Sequence, residues 1–239
     1  MVTKNQINLI RQIKRKRNRT EKKLFMVEGK KSIDEFLKSD HELYEIYSTN
    51  PTEIHSDNVI EISINELNKL SSLKKPNKHI AIFHQKKQIL KKTNFYILFD
   101  RINDPGNLGT IIRTCHWFGI DQIICSTDSV DCYNNKVVQS SMGSLSYVNV
   151  IYTDLIQFIK KSNKKIFGTS VNSKSISDFS FQNFDGILVF GSESNGISEN
   201  IKNEISNYIS IPKINQNSSP ESLNLSISVS IFLSKIIGI

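Results

Sequence analysis

Cysteine is scarce in this chain, and the shortage excludes two ways of holding a fold together. Cys115, Cys125 and Cys132 are too few and too irregularly spaced for a disulfide framework or a zinc site. Three reduced thiols and no metal are expected. Long apolar runs are also missing, since none approaches the roughly 18 residues that a membrane span needs. The opening stretch MVTKNQINLIRQIKRKRNRT lacks the apolar segment of a secretory signal. A cytoplasmic protein with no membrane partner is therefore expected. Internal repeats and low-complexity tracts are absent too. No Gly-Lys-Ser/Thr follows the glycine turns and no GxGxxG occurs, which counts against a nucleotide- or metabolite-binding enzyme that cradles phosphate.

Acidic residues are short in one half only. Residues 1 to 92 carry 20 Lys/Arg against 11 Asp/Glu, and residues 93 to 239 carry 11 against 12, so the net charge of +8 is all N-terminal. Such asymmetry suits a segment that docks on a polyanion, because each cation that neutralises a phosphate releases a condensed counterion. A membrane surface or an acidic protein would attract the same charge. The densest run is Lys14, Arg15, Lys16, Arg17 and Arg19, at the end of an expected first helix.

At 239 residues, one small and one medium domain is the natural expectation. Apolar strands are expected at residues 24–29, 42–48, 58–63 and 79–84, with a helical stretch after Gly29 and a short helix near 64–70, which makes a small α/β domain. QKKQILKKTN, residues 85–94, is polar and without a period. The division that follows is a first, basic domain over 1–88, a linker over 89–94 and a second domain over 95–239. In the second domain, strands expected at 95–99, 122–125, 165–168, 186–190 and 208–211 alternate with helices. That pattern implies a largely parallel sheet covered on both faces.

Three segments stand where these strands run out, the edge at which open α/β sheets bind ligands. In Asp100–Arg113, DRINDPGNLGTIIR, Pro105-Gly106 forces a turn and Asn107 is suited to capping a helix that opens at Leu108. Arg113 follows one and two-thirds turns later, so both could border one mouth. In VFGSESNGIS, two glycines bracket Glu193 and let backbone approach a ligand. The third segment runs from Ile211-Pro212 to ESLNLSIS. Leu223, Leu225, Ile227, Val229 and Ile231 alternate like a strand, while Leu225, Val229, Phe232, Leu233 and Ile236 form a helical stripe, so periodicity leaves both open. Ser222, Ser226, Ser230 and Ser234 fall four apart, a small-residue ridge if the segment is helical.

Together, in this order, the three segments resemble the motifs of the SpoU family of RNA ribose 2′-O-methyltransferases, within the SPOUT superfamily, over residues 95–239. LFMVEGKKSIDEFLK is similar to the ribosomal-protein-like RNA-binding domain that precedes the catalytic domain in many members. The resemblance implies an α/β fold with a trefoil-knotted SPOUT methyltransferase domain, a final segment that is helical, S-adenosylmethionine as cofactor, and a homodimer. Knots are otherwise nearly absent from proteins. It implies catalytic roles for Arg113, Asn107, Glu193, Ser222 and Asn224. A cofactor pocket would come from Thr169, Ser170, Gly191, Ser192, Glu193, Gly196, Ile211, Pro212 and Leu223, and RNA contacts from Lys14, Arg15, Lys16, Arg17, Arg19 and Lys30. Arg113, always charged, would stabilise developing alkoxide charge or grip a phosphate rather than accept a proton. The stretch between Pro212 and Ser222 departs from the family in being longer and lacking its glycine. Ribosomal RNA is the expected substrate, with transfer RNA or a non-catalytic assembly factor as the alternatives.

Overall fold

The computed structural model describes residues 2–56, 58–182, 184–215 and 220–238. In chain order the first elements are α1 (Lys4–Ile13), α2 (Lys16–Lys22), β1 (Leu24–Glu28), α3 (Lys30–Lys38), β2 (Leu43–Ser48), β3 (Val59–Glu61), α4 (Ile64–Leu70) and β4 (His79–His84). There follow β5 (Phe95–Phe99), α5 (Pro105–Trp117), β6 (Gln122–Ser126), α6 (Asn135–Ser141), β7 (Asn149–Thr153), α7 (Leu155–Lys160), β8 (Lys165–Ser175), β9 (Gly186–Phe190), α8 (Glu199–Lys202), β10 (Asn207–Ser210) and α9 (Leu225–Ile237). No helix among the described residues is long and apolar enough to cross a membrane.

The chain forms two compact units, Met1–Lys87 with Asp131–Tyr147, and Gln88–Val130 with Val148–Ile239. In the first, β1, β4, β2 and β3 form a mixed sheet in that order. Local chemistry sets its helices: Thr3 and Gln6 make a reciprocal capping box at α1, and Ser63 and Glu66 make another at α4. One side of the sheet buries Ile10, Ile13, Met26, Leu67 and Ile80. On another, Phe25 packs against Phe36 and, with ring centroids 4.5 Å apart, Tyr133. Tyr133 lies on an excursion of the chain between β6 and β7. That excursion carries residues 131–147, placed by the linear division with the second domain, into the core of the N-terminal unit.

The basic run does not extend the first helix. α1 ends at Ile13, and Arg15 adopts an extended conformation that starts α2. Arg19 then turns inward and is only 2% exposed. Its Nη1 donates to the carbonyls of Ile13 (3.1 Å) and Lys14 (2.8 Å), and its Nε and Nη2 donate to Asp131 Oδ2 at 3.0 and 2.7 Å. The last carbonyls of α1 are satisfied by a cation, and the cation by a carboxylate.

The second unit holds a six-stranded sheet, ordered β10-β8-β9-β5-β6-β7, in which every neighbouring pair is parallel. β5, β6 and β9 are buried along almost their whole length, as continuous apolar runs require. Two features depart from the sequence expectation. β7 was not expected; it is an edge strand in which Val150 is the one residue fully buried, so its apolar signal is weak. β8 runs on past Gly168 to Ser175 because β10 pairs with that extension after a register shift between Tyr208 and Ile209. From β5 the chain proceeds one way to β6 and β7 and later returns to β9 on the other side, so the order reverses at the β5/β9 pair.

Candidate functional site

A cavity of about 650 Å³ opens beyond the carboxyl ends of β9 and β10 and against the middle of β8, with α9 as a further wall. Thr169 and Ser170 enter it from β8, Gly191, Ser192, Glu193 and Gly196 from the turn after β9, Ile211 and Pro212 from the end of β10, and Ser222 and Leu223 from the approach to α9. All nine residues expected around a cofactor thus border one space. Phe190, Tyr208, Leu225 and Phe232 border it as well and were not singled out from sequence. For Phe232 a signal existed: it lies two helical turns beyond Leu225 on the apolar stripe. Residues 216–219 of the long stretch before Ser222 lie outside the described residues.

The turn after β9 needs its two glycines for different reasons. A Cβ on Gly191 would lie 2.1 Å from the carbonyl carbon of Gly196, so backbone meets backbone there. Gly196 has φ +62°, which favours glycine. Ser192 and Gly196 exchange backbone hydrogen bonds at 3.1 and 2.9 Å, closing the loop that presents Glu193. Buried Asp100 ties this loop to β5: its own N–H donates to the Phe190 carbonyl at 2.8 Å, and its Oδ2 accepts from the Ser198 N–H at 2.6 Å.

Asn107 is not the helix cap. Asp104 takes that role, accepting from the Asn107 N–H at 2.7 Å, with Pro105 in the first turn. The Asn107 side chain is therefore free to link the other segments. Its Nδ2 donates to Glu193 Oε1, and its Oδ1 accepts from Asn224 Nδ2 at 3.0 Å. Asn224 in turn caps α9, its Oδ1 accepting from the N–H of Ser226 (2.9 Å), the hydroxyl of Ser226 (2.6 Å) and the N–H of Ile227 (3.4 Å). Three of the five expected catalytic residues form one hydrogen-bonded chain, and Ser222 stands on the cavity wall. Arg113 is exposed on α5, off the cavity wall, and makes no hydrogen bond or ion pair with a described residue.

The expected RNA contacts divide. Arg15, Lys16 and Arg17 are exposed. Lys14 is half-buried and donates to the Ser71 carbonyl at 2.9 Å; burial lowers its pKa, partly offset by Glu28. Lys30 is paired with Asp34 at 2.6 Å. Arg19 does not belong in the set, because a side chain sealed between α1 and Asp131 cannot reach a phosphate. Among the described residues no group of three or more His, Cys, Asp and Glu is placed to hold a metal.

Residues 94–234 match the SpoU rRNA Methylase family, more than half of the chain. The chain belongs to that family. Residues 4–81 match the MRM3-like substrate binding domain. A curated relative, the 23S rRNA (guanosine(2553)-2′-O)-methyltransferase RlmP of Bacillus subtilis, is 26% identical over 226 residues, covering 91% of this chain and 90% of its own. A solved structure assigned to the TrmH family of RNA methyltransferases, from Porphyromonas gingivalis, is 29% identical with a TM-score of 0.85, covering 99% of this chain and 98% of its own. An AdoMet-bound rRNA methyltransferase from Sinorhizobium meliloti shares the fold at TM-score 0.85 and 23% identity, covering 99% and 95%. As a SpoU methylase the chain transfers a methyl group from S-adenosylmethionine to RNA.

The cavity fits that cofactor. Its volume lies within the range of small-molecule sites. Phe190, Ile211, Leu225 and Phe232 offer an apolar wall for a purine, and Glu193 offers a carboxylate to a cationic donor.

Proposed function

We propose that the chain methylates a ribose 2′-hydroxyl of ribosomal RNA in the cytoplasm, as a homodimer, with residues 1–88, completed by 131–147, as the RNA-binding domain and the rest of 95–239 as a knotted catalytic domain. The hydrogen-bonded chain Glu193–Asn107–Asn224 at the cavity carries the proposal, since it gathers groups 86 and 117 residues apart at one edge of the sheet. The RlmP relative, named for 2′-O-methylation of a 23S guanosine, supports the ribose and the ribosomal substrate. The dimer is supported by apolar side chains left in solvent on two helices that pack together: Trp117 on α5 is 84% exposed, and Ile227 on α9 is 51% exposed.

S-adenosylmethionine, when bound, supplies a methyl on a positively charged sulfur, already activated for transfer. The backbone of the Gly191–Gly196 turn and residues Thr169, Ser170, Ile211, Pro212 and Leu223 hold the donor. Asn107, fixed from both sides, orients the ribose, and Glu193, Ser222 and Asn224 complete the polar rim. A ribose hydroxyl is a poor nucleophile, so its oxygen must be aligned and its developing charge offset while its proton leaves to solvent and the methyl carbon would pass to it from sulfur, which would become a neutral thioether. Arg113 supplies that offset, or holds the adjacent phosphate.

Mapping 2′-O-methyl groups in RNA from cells with and without the gene tests this. One ribosomal site should disappear, and the guanosine equivalent to that of the RlmP relative is the first to inspect. Loss of a transfer RNA site instead, or no change in any RNA together with no calorimetric heat from S-adenosylmethionine, would overturn it.

A further inference from the structure

The N-terminal unit carries cations that the activity has not yet used. We propose that its RNA is gripped by a composite basic face running from Arg15, Lys16 and Arg17, across the loop after α4 with Lys74 and Lys75, to Lys136 at the start of α6. The proposal rests on RNA being the substrate, and it adds a contact from outside the segment, residues 4–81, that matches a substrate-binding domain.

Two serines at the start of the loop bring the three stretches together. The Ser71 carbonyl accepts from Lys14 Nζ at 2.9 Å, next to Arg15. The Ser72 hydroxyl accepts from Asn135 Nδ2 at 2.8 Å, next to Lys136. Beneath both serines lies Glu28, which accepts from the Ser71 hydroxyl and, at 2.9 Å, from the Ser72 N–H. Arg19 clasps the same region from below by joining the Lys14 carbonyl to Asp131. Lys74 and Lys75 follow two and three residues after Ser72. The far end of the loop is also held, with the Lys78 carbonyl accepting from the Thr49 N–H and the His79 carbonyl from the Gly29 N–H, both at 3.0 Å. A surface anchored at both ends loses little freedom on binding.

Charge completes the case. All six cations are exposed, and none makes an ion pair with a described residue. Two carboxylates under the face are occupied, Glu28 by the serines and Asp131 by Arg19, and Glu21 on α2 is outnumbered by the six cations. An unneutralised cluster of this kind, on a rigid frame, matches the phosphates of a folded RNA.

The test uses the full-length protein and unmodified large-subunit rRNA transcribed in vitro, with affinity measured against salt concentration. Changing Lys74, Lys75 and Lys136 together to Gln should lower the slope of log affinity on log salt by about two to three, at ~0.7–0.9 per phosphate contact. Heat from S-adenosylmethionine should be unchanged. The same three changed to Arg should keep the wild-type slope. Lys160, Lys161 and Lys165, at the amino-terminal edge of the parallel sheet, changed to Gln should also keep it. An unaltered slope in the first variant overturns the composite face while leaving the substrate intact. Absence of any salt-dependent binding by the wild type would instead remove the RNA reading on which it rests.

Discussion

Asn107 shows how one residue's freedom depends on its neighbour. Because Asp104 caps α5, the amide of Asn107 is released to join Glu193 and Asn224. Arg113 has no such partner among the described residues, and an exposed side chain of this kind is available to a substrate. Arg113→Ala should bind S-adenosylmethionine with wild-type heat and transfer no methyl, as followed by incorporation of labelled methyl into RNA; retained turnover would remove its role. Arg19 is the opposite case, an arginine whose work is internal. Arg19→Met leaves Asp131 without its cation and should cost about 3–5 kcal/mol, read as a lowered midpoint in denaturant. His41, 8% exposed, is pushed down to about 4, chiefly by burial and secondarily by Lys86, against the pull of Asp40. Between its ordinary value and that one the unfolded chain takes up a proton that the folded chain refuses. Stability should therefore fall as pH drops through this window, and denaturant midpoints at about pH 7 and about pH 5 should show the decline.

At the scale of elements, helix α9 is both a wall and a hinge of the site's geometry. Asn224 caps its first turn and links it to α5, while Phe232, 5.4 Å from Phe190 with rings at 88°, closes the cavity behind. Asn224→Ala removes a cap that contributes about 1 kcal/mol and cuts the link to Asn107. Its melting temperature should drop by a few degrees, whereas its turnover should drop by well over the share of protein unfolded; equal losses would make Asn224 merely structural. Most elements were legible because burial on both faces leaves a continuous apolar run, as in β5 and β9, or because a capping box announces a start, as at Ser63. The segment of α9 was ambiguous from periodicity because serine recurs every fourth residue among apolar ones, which satisfies alternation and helical spacing together. β7 was illegible because an edge strand buries little, and the extension of β8 because its pairing with β10 depends on a register shift no local pattern encodes. The family pattern pointed to Asn107, Glu193 and Asn224, but the bonds that join Asn107 to both other segments were not legible, since capping by Asp104 had first to be seen.

For the molecule as a whole, the charge excess lies in residues 1 to 92, but sequence order hides that residues 131–147 complete the N-terminal unit. The contacts responsible, Arg19 with Asp131 and Phe25 with Tyr133, pair residues more than a hundred positions apart. A fragment ending at Lys92 would keep every strand of the first sheet but leave Arg19 without its counter-charge and Phe25 without Tyr133. It should lack a cooperative unfolding transition, and adding Asp131–Tyr147 through a flexible linker should restore one; a fragment that melts cooperatively by itself would refute this dependence.

The same excursion puts a delay into biosynthesis. A nascent chain has delivered every strand of its first sheet once residue 87 is out, but the last piece of that unit ends at residue 147. At ~5–20 residues per second the wait is about 3–12 s. Through that interval Phe25 and the Arg19 pocket stay open to whatever surrounds the emerging polypeptide, so the half of the protein made first is not the half finished first.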